Sequence, residues 1–146
     1  MRISTKGEYG VRALFELAQH YGEGPIQSSH IAVRQHVPEN YLNQLLLTLR
    51  NAGLIKSVRG PSGGHMLARP PADINLGEAL VALEGPMHPM DCVNPDFTDC
   101  TLLEMCVIRD VWRELKHATE EVLYSTTLEE LLQSRRQRQE QLMYYI

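Results

Sequence analysis

The chain has 146 residues, 43% hydrophobic and 22% charged, a composition that supports a buried core and argues against disorder. No apolar run of about 18 residues is present, so the sequence offers no helical membrane span. Its net charge of −4 is unevenly placed: residues 1–69 hold two Lys and six Arg against four Glu, a net +4, and residues 70–146 carry a net −8. A basic half joined to an acidic half is the asymmetry expected where one part of a chain meets phosphate.

The opening MRISTKGEYGVRALFELAQHY is interrupted by Glu8, Arg12 and Glu16 and reads as an amphipathic helix, not a signal peptide, so a cytoplasmic protein is the expectation. This first helix is predicted from about Thr5 to Tyr21, with Thr5 as cap, Gly22 and Gly24 at its end, and Val11, Leu14, Phe15 and Ala18 facing inward. Ser28 or Ser29 caps a short second helix, His30 to His36, with Ile31 and Val33 available for burial. Val37-Pro38 breaks it, because proline disfavours helical geometry in the residue before it. A third helix starts at Pro38 or Glu39, carries Leu42, Leu45, Leu46 and Leu49 on one side and ends at Gly53. The outline is a helix-turn-helix.

The pattern then becomes extended. Leu54–Val58 and His65–Ala68 read as antiparallel strands joined by the turn formers Arg59-Gly60-Pro61-Ser62-Gly63-Gly64, which makes a wing. Asn75 caps a helix through Leu76, Ala79, Leu80 and Leu83, closed by Gly85-Pro86. Met87 to Thr101 reads as a loop. A long helix is predicted from about Leu102 to Tyr124, whose stripe of Val107, Val111, Leu115, Ala118 and Val122 suits pairing with another helix, including its own copy. Thr126-Thr127-Leu128-Glu129-Glu130 offers overlapping capping boxes for a last helix with a polar, fraying end at Arg135–Gln139. The fold class is mainly α with a small two-stranded β wing. Residues 1–85 form the DNA-binding unit, 86–101 a cysteine-bearing loop with Cys106 at the start of the next helix, and 102–146 the dimerisation and C-terminal helices.

In such a fold the third helix enters the major groove. Asn40, Asn43 and Gln44 suit adenine, Glu39 suits cytosine, and Tyr41 suits a phosphate or a thymine methyl. Arg59 is placed to enter the minor groove, with Gly60 and Ser62 beside it at the wing tip. Arg2, Lys6, Arg34, Arg50 and Lys56 are candidates for phosphate contacts, and the plainer reading of each is a solvated surface charge. Neither His-Glu-x-x-His nor a phosphate-binding loop appears, so neither an enzyme nor a small-molecule substrate is expected.

Cys92, Cys100 and Cys106 are the three cysteines, spaced C-x7-C-x5-C. Soft thiolates clustered in one segment select iron–sulfur clusters or zinc. An odd count in a reducing compartment argues against structural disulfides. Ordinary loop thiols are the plainer alternative.

The stretch YLNQLLLTLRNAGLIKSVRGPSGGHMLARPPADINLGEALVALEG closely resembles the hallmark region of the Rrf2 superfamily of bacterial regulators, and MRISTKGEYGVRAL resembles the family's start. The similarity spans nearly the whole chain and weakens after about Tyr124. It implies a winged helix-turn-helix regulator with a long dimerisation helix, acting as a homodimer on two-fold symmetric operator DNA. In IscR-like and NsrR-like members three cysteines in this place hold an iron–sulfur cluster, whereas CymR-like members lack the set. IscR-like members also have a His three residues after the last Cys. Here that residue is Arg109, a poor ligand. Other members complete the site with an acid from the partner's first helix, and Glu8 falls at that place, where the helix dipole also favours an unliganded acid. His88, Asp91, Asp99, His65 and His117 are further donors. The first cysteine spacing is longer than in IscR-like members, which leaves a two-iron or a four-iron cluster open (2Fe–2S or 4Fe–4S). The resemblance thus implies operator affinity controlled by a cluster. The alternative is the same fold with a thiol-redox or zinc site.

Overall fold

In the computed structural model, which describes residues 1–145, the first apolar repeat folds as helix α1, Thr5–Gln19. Its cap is Ser4 rather than Thr5. The Ser4 hydroxyl accepts from the Gly7 amide at 3.4 Å, and the Glu84 carboxylate takes both the Ser4 amide and hydroxyl at 2.5 Å, fixing Ser4 in extended geometry. Helix α2, Ser28–Gln35, begins earlier than the serines suggest, with Gln27 as an N-cap that makes no side-chain cap bond. Val33, expected to be buried, is 74% exposed, because the face of α2 turned toward α1 and α3 holds Ile31 and Ala32. Pro38 precedes α3, Glu39–Asn51, and Leu42, Leu45, Leu46 and Leu49 are all buried. Gly53 leaves the helix at a φ of 77°.

Strands β1, Ile55–Val58, and β2, Gly64–Leu67, pair antiparallel with Ile55 opposite Leu67 and Val58 opposite Gly64. An unanticipated third segment joins this wing. Ile26 and His65 exchange backbone hydrogen bonds of 2.9 and 2.8 Å, which tie the wing to the α1–α2 connection. Helix α4, Leu76–Glu84, is capped by the Asn75 side chain on the Glu78 amide at 2.9 Å and closed by Gly85 at a φ of 84°.

Helix α5 runs Val107–Ser125, five residues shorter at its start than the sequence pattern predicts. Residues 101–105 form turns, and the Leu103 carbonyl accepts from Arg109 Nη1 instead of serving as a helical acceptor. Helix α6, Leu128–Tyr144, opens with a capping box between Thr127 and Glu130. It stays helical through the Arg-rich stretch where fraying was expected, with Arg135 placed 5.7 Å over the Phe15 ring. Two hydrogen bonds of 2.9 Å, Leu76 N to Thr126 O and Leu128 N to Ile74 O, return the chain to the start of α4.

The core sits between α1, α3, α4 and the base of α6. Leu14, Ile31, Leu42, Leu49, Leu83 and Leu128 are among its fully covered side chains. Two glycines let α1 approach α4: a Cβ on Gly10 meets Leu83 Cδ1 at 2.4 Å, and one on Gly7 meets the Glu84 carboxylate. No helix among the described residues is long and apolar enough to cross a membrane.

Candidate functional site

The exposed side of α3 presents Glu39, Asn40, Asn43 and Gln44, with Tyr41 half-buried. The wing tip exposes Arg59, Gly60 and Ser62, with Gly60 at a φ of 111°. A short polar bridge links the two. Gln27 Nε2 donates to the Pro61 carbonyl at 3.3 Å, and the adjacent Ser28 hydroxyl donates to Glu39 at 3.4 Å. The end of α3 that suits base edges and the loop that suits the minor groove are therefore linked by one dipeptide, of which Ser28 alone was expected to matter, as a helix cap.

The candidate phosphate contacts are not grouped together. Arg50 and Lys56 are exposed at the end of α3 and in β1. Burial, with help from the Arg50 charge, lowers the pKa of the neighbouring His65, whose ring nitrogen Nδ1 lies 2.8 Å from Ser57 Oγ. Arg2 and Lys6 are exposed at the other end of α1, the end fastened to Glu84. Arg34 is already engaged. Its guanidinium lies 2.9 Å from both Glu16 Oε1 and His20 Nε2. Glu16 is only 4% exposed and also accepts from Gln35 Nε2 at 2.7 Å, so this network locks α2 to α1. Burial pushes the Glu16 carboxyl up, but hydrogen bonds from Arg34 and Gln35, with the charges of Arg34 and His20, outweigh it and hold the group below its ordinary value.

Glu8 is exposed and paired with Arg12 at 2.7 Å. Arg12 also lies 6.0 Å over the Tyr9 ring and donates to the Gln35 carbonyl at 3.5 Å. Tyr9 in turn packs edge-on against Tyr41 of α3 at 6.0 Å. A continuous set of contacts thus leads from Glu8 to the first turn of α3.

The cysteine loop lies beyond α4. Cys92 sits half-buried in a single 3₁₀ turn, Asp91–Val93, that packs on α5; Cys100 is exposed; Cys106 is half-buried at the N-cap of α5. All three thiols are free. Among the described residues, no three His, Cys, Asp or Glu side chains converge closely enough to hold a metal ion. His88, in the same loop, has a buried Nδ1 without a hydrogen-bond partner, while its Nε2 lies 3.2 Å from Asn94. His65 belongs to the wing, and His117 lies exposed on α5. Arg109 donates through Nε to the Cys92 carbonyl at 2.7 Å.

The profile of the Rrf2 family, described as an iron-dependent transcriptional regulator, matches residues 3–134. The chain belongs to the Rrf2 family. It is 42% identical to the HTH-type transcriptional regulator CymR of Bacillus subtilis over 146 residues, all of both chains. It is 35% identical to the regulator IscR of Xenorhabdus nematophila over 134 residues, 92% of this chain and 80% of that one. The solved structure of IscR from T. potens superposes with a TM-score of 0.77 at 45% identity, covering 95% of this chain and 91% of that one. That of CymR, the global cysteine regulator of B. subtilis, superposes with a TM-score of 0.75 at 43% identity, covering 90% and 95%. This Rrf2 chain is accordingly a DNA-binding transcriptional regulator with the winged-helix fold of its relatives.

Proposed function

We propose that this Rrf2 regulator binds operator DNA as a homodimer, through α3 and the wing, and that an iron–sulfur cluster held by Cys92, Cys100 and Cys106 sets its affinity. The observation that carries the reading is the sequence of features along α5. Three free thiols precede it directly, and its apolar stripe stands uncovered, with Val107 76%, Val111 56%, Leu115 40% and Val122 63% exposed. A stripe of that spacing on a surface helix suits a second copy of the same helix. A dimer would present two α3 helices, which must lie about 34 Å apart to enter successive major grooves.

The donor set fits a cluster in kind. Thiolates are the usual ligands, and a carboxylate adds a weak, exchangeable one. Glu8 from the first helix of the second copy would be the fourth ligand. His88 is the alternative, favoured by its unpartnered buried nitrogen. When bound, such a group supplies redox-sensitive coordination bonds whose making and breaking favour one loop conformation over another. The chain's own part is to convert that preference into geometry. Withdrawing Glu8 from Arg12 would alter the contacts that Arg12 makes with Tyr9 and the Gln35 carbonyl, next to Tyr41 on α3. Arg59, Arg50 and Lys56 hold phosphate or the minor groove, and Glu39, Asn40, Asn43 and Gln44 meet base edges.

A second reading rests on the exposure of Cys100 and the lack of convergence among the thiols: the loop responds through thiol oxidation, or takes zinc. Anaerobic purification with iron, sulfide and zinc analysis separates the two. Iron and sulfide in matched amounts, lost on Cys→Ala substitution at positions 92, 100 or 106, supports the cluster. Zinc alone, or no metal after reconstitution, replaces it with the thiol or zinc reading.

A further inference from the structure

We infer that Arg109 is the positioning residue of the cysteine loop: it pins the turn bearing Cys92 beside Cys106 before any metal or oxidant arrives. The inference rests on the reading that the three cysteines act as a group, but not on which group they bind. Arg109 stands three residues after Cys106, in the first turn of α5. Its Nε donates to the Cys92 carbonyl at 2.7 Å, and Nη1 to the Leu103 carbonyl at 3.4 Å. One acceptor belongs to the first cysteine and the other lies between the second and third. A single planar cation therefore fastens both arms of the loop to the helix that the third cysteine caps.

The residue type matters. A guanidinium presents several donors in a rigid fork and reaches two carbonyls on different segments at once, whereas a lysine ammonium is a single point on a flexible stem. The bonds are charge-assisted, which strengthens the shorter one in particular. The Leu103 carbonyl lies in the turns of residues 101–105, ahead of α5. Cys106 stands at the helix boundary in extended geometry, φ −83° and ψ 98°, rather than inside a regular turn. Cys92 is held by a backbone atom, so its thiol stays free to react. Cys100 remains on the exposed arch between the two fastened points. Closing a loop costs entropy, and a clamp present beforehand removes part of that cost from the binding step.

The test uses metal-free, reduced protein carrying Cys100→Ser, so that Cys92 and Cys106 are the remaining thiols. Dibromobimane, which fluoresces on bridging two nearby thiols, reads their proximity without any metal. With Arg109 present, rapid bridging is expected. Arg109→Ala should slow it about tenfold by lowering the effective concentration of one thiol at the other. Arg109→Lys, which keeps the charge but loses the fork, should restore only a minor part. Circular dichroism and thermal midpoints should be unchanged in both variants, because the loop lies outside the main core. Equal bridging rates with and without the guanidinium would overturn the inference, as would an absence of bridging although each thiol is alkylated singly. If bridging depends on Arg109 while the full-length Cys100 protein takes up no iron, Arg109 keeps its role and the cluster reading fails.

Discussion

Glu16 keeps its carboxylate under cover at 4% exposure, and its stability contribution has a definite sign with pH. Its folded pKa lies below the ordinary 4.5, so the charged form favours the folded state above that value, and the benefit is lost as pH falls through the lower folded pKa. The difference in urea midpoint between the native chain and Glu16→Gln should therefore be largest near neutrality and shrink as the solution is taken below pH 4.5. Glu16→Ala removes the partner of Arg34 and Gln35 and should cost about 1–3 kcal/mol at neutral pH, the range for stranding buried hydrogen-bonding groups. Gly10 makes the opposite point. Alanine is normally better in a helix by roughly 1 kcal/mol, yet here its methyl meets a buried Leu83 at 2.4 Å. Overpacking of this kind costs about 1–3 kcal/mol, so Gly10→Ala should lower the thermal midpoint rather than raise it.

The wing depends on backbone as much as on side chains. Gly64 has a φ of 153°, and a Cβ there meets the Ile26 carbonyl at 2.4 Å. Gly64→Ala should unhook the wing from the α1–α2 connection and weaken operator binding in a gel-shift assay, with the helical core still melting cooperatively. Arg59→Ala should act differently, leaving the fold intact and reducing the slope of log affinity against log salt by about 1 if Arg59 neutralises a phosphate. At this scale the sequence was a good guide wherever structure is local. The leucines of α3 at spacings of three and four, and the frame of Asn75 and Gly85 around α4, carry their own periodicity and caps. What escaped it was long-range. Nothing near Ile26 announces a partner at His65, nothing near Arg34 announces Glu16, and nothing in Leu102–Met105 announces that these residues turn instead of joining α5. The α3 face and the wing tip were legible as candidates. The polar bridge of Gln27 and Ser28 that sets them together was not.

For the whole molecule the proposed dimer makes the sharpest prediction. α5 has no buried residue in the single chain, so covering its stripe is an apolar gain left to association. Val111→Glu should convert a dimer to single chains in sedimentation and reduce operator affinity far more than Arg59→Ala, because two half-sites can no longer be held jointly. The ends of α5 are held unequally. Near Thr126 it is stitched by backbone hydrogen bonds to the start of α4, and Tyr124 presses where Gly77 leaves no room for a Cβ. Toward Val107, its contacts are with the cysteine loop. Such a helix is a cantilever on the order of 28 Å long at about 1.5 Å per residue. A shift of about 1 Å at its tip turns it by only about 2°, and almost none of that displacement reaches the root. Motion at the cysteines is therefore attenuated along its own chain and undiminished wherever the tip touches something directly. If the tip of one copy abuts the first helix of the other, each sensor's displacement is delivered mainly to its neighbour's reading head.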